Sequence, residues 1–179
     1  MAVLIDSYSE SNQDGGDNLT SVASVTMLGQ TFVGDGSTLD SCKFYLKKTG
    51  SPTGNAVAKL YAHTGSYGDG EPTGAALATS GNLDVTTLTT SYVLTTLSFT
   101  GGNQVALSGG TPYCIVIEYS SGDGSNYVTV GYDGSSPSHA GNTVFTFTGS
   151  FGKNTGRDTC FYVYSVSGPP IGGYIHMSS

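Results

Sequence analysis

The sequence predicts an all-β chain: a two-sheet antiparallel β-sandwich, jelly-roll-like, with a barrel as the structural alternative. Three observations carry this. Apolar residues alternate with period two along several runs. No window shows apolar residues recurring at three, four and seven over three helical turns. Turn chemistry such as Gly34-Asp35-Gly36, Gly68-Asp69-Gly70, Gly122-Asp123-Gly124 and Asp133-Gly134 separates the runs at short intervals.

Taken in chain order, an early strand is expected over 24–33, carrying Val25, Met27 and Phe32. In Ser41–Lys47 the residues Cys42, Phe44 and Leu46 share one face, and Lys43, Tyr45 and Lys47 the other. Ala58, Leu60 and Ala62 repeat the pattern against Lys59, Tyr61 and His63, so both runs read as strands with one face in the core and one in water. Thr89–Phe99 reads as a Thr-rich strand, with shorter candidates at Val128–Gly131 and Val144–Thr148. Tyr113–Ile117 and Cys160–Tyr164 are apolar on both faces and read as central strands covered on both sides. The chain divides into an N-terminal strand and polar arm (1–22), the sandwich (23–167), and a Pro/Gly linker with a short tail (168–179). Pro169-Pro170 cannot continue a ladder, and the polar stretch 7–20 reads as a loop or flexible arm.

Composition narrows the function. The 179 residues suit one domain, and the 37% hydrophobic content suffices for one core. With a net charge of −7 and six Lys and Arg, no basic patch for a phosphate backbone is expected, so nucleic acid and anionic membrane surfaces are excluded as partners. The N-terminus lacks a basic segment followed by an apolar stretch, so no secretory leader is read there and synthesis in the cytoplasm is expected. Cys42, Cys114 and Cys160 each sit in an apolar run without C-x-x-C spacing, and read as buried free thiols, one pair plus one free thiol being the alternative.

The residues carry little chemistry. His63, His139 and His176 show no zinc spacing and read as surface, turn and tail positions. Glu118, alone in an apolar strand, is expected to pair with a Lys or Tyr neighbour rather than act as an acid or base. No enzyme is read. Calcium is the least implausible cofactor, through Asp35, Asp69, Glu71 and Asp123 in loops, although ordinary turn chemistry accounts for them and no Asp-x-Asp-x-Asp loop occurs. Tyr45, Tyr61, Tyr127 and Tyr132 are candidates for stacking against a sugar ring.

Several segments carry a family resemblance: Gly29-Gln30-Thr31-Phe32; Leu39 to Leu46; Ala58-Lys59-Leu60-Tyr61-Ala62; Pro72 to Ser80; Val105 to Tyr113; and Tyr132 to Pro137. In order and spacing, over roughly residues 28 to 166, they resemble the choice-of-anchor class of jelly-roll domains, found on bacterial surface proteins and in phage structural proteins. The resemblance implies a jelly roll that binds or builds. Without the leader and sorting tail of the bacterial surface members, the expectation moves to a virion surface protein, such as a capsid decoration, head-fibre or tail-associated protein. A capsid or tail protein would be its partner, and homo-oligomers stay open. The alternative is a carbohydrate-binding adhesin of a phage tail or cell surface. Val3, Leu4 and Ile5 at one end, and Tyr174, Ile175 and Met177 at the other, are the assembly candidates, either adding strands to a neighbour or folding back onto their own sandwich.

Overall fold

A computed structural model describes residues 2–20 and 25–166. Among them no α-helix occurs. Fourteen strands, joined by turns and three short 3-10 segments, form two antiparallel seven-stranded sheets packed face to face, as the alternation predicts. The strands are β1 (Val3–Tyr8), β2 (Gly15–Leu19), β3 (Val25–Val33), β4 (Leu39–Thr49), β5 (Asn55–Ser66), β6 (Asp69–Thr79), β7 (Leu83–Asp84), β8 (Val93–Ser98), β9 (Pro112–Glu118), β10 (Tyr127–Asp133), β11 (Thr143–Phe147), β12 (Ser150–Asn154), β13 (Asp158–Thr159) and β14 (Phe161–Ser165). Sheet A runs β1-β14-β4-β10-β13, with β2 on β10 and β8 on β4; sheet B runs β12-β11-β3-β9-β5-β6, with β7 on β5. The chain crosses between sheets at β3–β4–β5 and again at β8–β9–β10–β11. Crossing at successive strands is what gives the sandwich its jelly-roll character.

The main core lies between the sheets. Cys42, Phe44 and Leu46 of β4, Val128 and Val130 of β10 and Phe161 and Val163 of β14 meet Leu28 and Phe32 of β3, Ile115 and Ile117 of β9 and Ala58 and Leu60 of β5. A second, smaller core covers the opposite face of sheet B and contains Met27, Tyr61, Cys114, Val116 and Val144. It exists because sheet B curls until its two edges meet. Lys153 of β12 donates to the Asp69 carbonyl of β6 at 2.9 Å, and the buried Asn142 exchanges hydrogen bonds with Gly70 at 2.9 and 3.1 Å. This explains why β9 is apolar on both faces. It also corrects Tyr61: 7% exposed and edge-on to Phe151, its ring offers no face to a sugar.

Other expectations change as well. The stretch 7–20 is not a free arm. β1 pairs with β14, and β2 pairs with β10 from Leu19↔Val128 to Gly15↔Tyr132. Backbone hydrogen bonds to β10 order a segment whose side chains show no pattern. The Cys160–Tyr164 run has only one covered face, since Tyr162 and Tyr164 stand half-buried on the outside of sheet A with ring centroids 6.4 Å apart. His63 is half-buried against Gly70 rather than exposed, with its Nε2 enclosed. Glu118 pairs with Lys59 at 2.8 Å.

All three cysteines are buried and unpaired, and burial pushes the Cys114 and Cys160 thiols up to about 12. The thiolate is the reactive form. The folded protein is therefore expected to leave all three thiols unlabelled by an aromatic disulfide reagent at pH 8, and to release three equivalents once denatured in guanidinium. Labelling before unfolding would contradict the buried placement.

Candidate functional site

The outer face of sheet A carries an open groove of about 290 Å³, lined by Gln13, Asp14, Gly15, Gly16, Asn18, Lys47, Thr49, Tyr92, Tyr127 and Thr129. Three elements build it. β4 turns Lys43, Tyr45 and Lys47 outward because Cys42, Phe44 and Leu46 go to the core. β10 contributes Tyr127 and Thr129 for the same reason. β2 supplies a floor of glycines: a Cβ on Gly16 would stand 2.1 Å from the Tyr92 hydroxyl and 2.8 Å from the Thr129 methyl. Only glycine allows Tyr92 to lie against the backbone there.

Tyr92 is the aromatic centre. It stacks on Tyr45, with centroids 5.0 Å apart and planes 19° from parallel, and the Lys47 ammonium sits 4.6 Å from its ring. Burial pushes its phenol up to about 12, so the hydroxyl stays protonated at neutral pH. Polar groups frame the rings. Thr129 donates to the Asn18 side-chain oxygen at 2.9 Å, which turns the Asn18 amide nitrogen away from that bond. Gln13 donates to the Gly15 carbonyl at 2.9 Å. Asp14 accepts from the Gly134 and Ser135 amides at 2.8 and 3.0 Å, and hydrogen bonds from these residues hold its carboxyl below the usual range. The arrangement offers aromatic faces, hydroxyls, amides and one ammonium, without a nucleophile–base pair.

Of the four candidate tyrosines, Tyr127 lines the groove and Tyr45 supports Tyr92 from below. Tyr132 belongs to the neighbouring end of β10, where the Arg157 guanidinium covers its ring at 4.3 Å. Tyr61 is in the second core. The sequence reading missed Tyr92, Lys47, Gln13 and Asn18. Tyr92 lay inside the expected strand 89–99, but the strand begins at Val93 and the preceding turn, closed by Thr89 donating to the Ser91 carbonyl, folds Tyr92 back over β4.

A second polar cluster lies where β1 meets β10, β13 and the 134–142 loop. His139, expected as turn filler, packs edge-on between Tyr8 and Phe161. Its Nδ1 accepts from the Gly141 amide at 3.0 Å, which places the proton on Nε2 facing Asp6 at 3.2 Å. Asp158, 2% exposed, accepts from Gln30 and from the His139 amide, both at 2.7 Å. Tyr8 donates to Asp133 at 2.6 Å, while Asp133 also accepts from the Ser135 and Ser136 amides. Both ring nitrogens and all three carboxylates are occupied by these bonds, so the cluster ties β1 to the 134–142 loop and β13.

The carboxylates considered for calcium are dispersed. Asp35 accepts from the Ser37 amide, Asp69 pairs with Lys153 at 2.6 Å, Asp123 accepts from the Ser125 and Asn126 amides, and Glu71 lies on β6 toward Cys114. Among the described residues no three His, Cys, Asp or Glu side chains come together as a metal site. No described helix is long and apolar enough to cross a membrane. Val3 and Leu4 stand 53% and 47% exposed on the outer edge of sheet A, while Ile5 packs against the core. Tyr174, Ile175, Met177 and His176 lie outside the described residues. No protein-family model, no curated protein and no solved structure matches this chain.

Proposed function

We propose that this chain is a non-enzymatic recognition module that binds carbohydrate in the groove on the outer face of sheet A. One observation carries this reading: Tyr92 and Tyr127 line a single groove together with the amides and hydroxyls of Gln13, Asn18, Thr49 and Thr129. Rings stack on the apolar face of a pyranose, and short polar side chains at the rim read its hydroxyls. Native electrophoresis through gels containing soluble polysaccharides tests it. At least one polysaccharide should retard the protein, and Tyr127→Ala should restore its mobility while melting with the wild type. Unretarded migration in every gel would end this reading.

A second reading, a structural component of a virion that docks as a capsid decoration, head-fibre or tail-associated protein, is favoured by one feature. β1 pairs with β14 on one side and has no strand partner on the other among the described residues, and it presents Val3 and Leu4 outward. An open edge is a template for strand addition by a neighbour. On this reading the chain sediments with density-gradient-purified particles in stoichiometric amount, and Leu4→Asp releases it. Recovery only in cell envelopes or soluble extract would refute it.

A further inference from the structure

Resting on the carbohydrate reading, we infer that the groove selects acidic saccharides, with Lys47 receiving the carboxylate of a uronic or sialic acid whose ring lies against Tyr92 and Tyr127. Cations are scarce, six in a chain of net charge −7. Three are neutralised within the fold. Lys59 pairs with Glu118, Lys153 with Asp69 and Arg157 with Asp17. Lys48 donates to the Thr86 carbonyl. Lys43 and Lys47 remain, and among the described residues neither forms an ion pair. Both point outward from β4 on the groove side of sheet A, and each rests over a tyrosine ring: Lys43 over Tyr164 at 5.2 Å and Lys47 over Tyr92 at 4.6 Å.

Lying over a ring holds an ammonium in place without neutralising it, so Lys47 keeps its charge and donors for a ligand. The groove carboxylate, Asp14, is held by the Gly134 and Ser135 amides and forms no ion pair with Lys47. A carboxylate seated on Lys47 would make a charge-assisted hydrogen bond. The Asn18 amide nitrogen and the Tyr127 and Thr49 hydroxyls remain for the sugar's own hydroxyls. Two lysines on an acidic protein are too few to hold a polyphosphate backbone, which needs many neutralised phosphates. A single carboxylate per sugar suits them.

The test is a glycan array bearing sialylated, uronate-containing and neutral oligosaccharides, probed with the labelled full chain. The best-bound glycan is then titrated by calorimetry at low and high salt. Signals are expected on acidic glycans, with affinity falling as salt rises. Lys47→Gln should weaken binding about tenfold, the scale of one charge-assisted hydrogen bond. Tyr127→Ala should weaken it as well, and Lys59→Gln, a paired lysine on the other sheet, should leave the pattern intact. Lys47→Gln alters a partly exposed side chain, so its melting should match the wild type. Equal binding of neutral glycans, undiminished in Lys47→Gln, would overturn acid selectivity while leaving the carbohydrate reading standing. Absence of binding to every glycan would overturn both. Acidic-glycan binding that survives both groove substitutions would overturn the assignment to this groove.

Discussion

Gly29→Ala should be strongly destabilising for a change of one methyl group. Gly29 sits in β3 at the centre of sheet B, opposite Val116 in β9. A Cβ there would stand 2.0 Å from the Ile115 carbonyl oxygen and 2.5 Å from the Val116 Cα. These are backbone atoms, so no side-chain rotation relieves the clash, and the β3–β9 ladder from Met27↔Glu118 to Val33↔Pro112 must spread. The close approach reflects the curl that lets sheet B wrap its second core around Cys114 and Val116. A loss of about 3 kcal/mol or more is expected, the upper end of what overpacking costs. Against a total of about 5–15 kcal/mol for an ordinary domain, that removes a large share of the stability and moves the urea midpoint well below that of the wild type. Gly102→Ala is the control. Its Cβ would meet nothing within 4 Å, so it should be neutral or slightly stabilising through the unfolded chain. Urea denaturation followed by circular dichroism separates the two. If Gly29→Ala unfolds at the wild-type midpoint, the tight packing of β3 on β9 is wrong.

The strands that alternation reveals are those whose neighbours bury one face and leave the other to solvent. β4 is the clearest, because Cys42, Phe44 and Leu46 form its core stripe and Lys43, Tyr45 and Lys47 its outer stripe. β2 is invisible by the same logic. Gly15-Gly16-Asp17-Asn18 has nothing to alternate, and its conformation comes from β10, more than a hundred residues away. β6 is hidden for another reason. Its ladder to β5 shifts register between Leu60 and Ala62, and the 74–77 stretch bulges out opposite Tyr61. Tyr61 was misjudged because period two reports which side of a strand a residue occupies, and a curled sheet can bury both sides.

The groove was half legible. Tyr45, Lys47 and Tyr127 lie on outward positions of strands that the pattern identifies, but their meeting with Tyr92 depends on a turn and on glycines in an unseen strand. His139 gave no local signal at all. Its partners lie 133 residues away at Asp6, 109 at Gln30 and 19 at Asp158. A histidine in a Ser-Pro-Ser-His turn reads as surface until the fold brings β1 beside it. Gln30 teaches the same lesson from within a strand. It shares the inner face with Leu28 and Phe32, and a polar residue there is tolerated because four groups satisfy its amide.

That satisfaction sets the second large effect, Asp158→Ala. The Asp158 carboxylate is the acceptor for both the Gln30 amide and the His139 backbone N–H, each at 2.7 Å in a site 2% exposed. Truncation leaves the buried Gln30 N–H and the part-buried His139 backbone N–H without this acceptor. Each orphan costs about 1–3 kcal/mol, so a total near 3–5 kcal/mol is expected. Asp158→Asn should cost less, because its amide oxygen can serve one donor while its NH₂ opposes the other. The substitutions should not add. Gln30→Ala removes one of the stranded donors itself, so the pair Gln30→Ala with Asp158→Ala should be less destabilised than the sum of the two singles, with a coupling above about 1 kcal/mol. The consequences extend beyond β13. Asp158 holds the His139 backbone, His139 faces Asp6, and Tyr8 packs against the same imidazole. Hydrogen exchange in Asp158→Ala should therefore accelerate first at the β1 amides paired with β14, before the β4–β14 ladder. If β1 keeps wild-type protection while global stability falls, the cluster supports the core and does not fasten the N-terminal strand. If Asp158→Ala costs less than about 1 kcal/mol, its two hydrogen bonds are replaced by solvent and the site is not the closed network described.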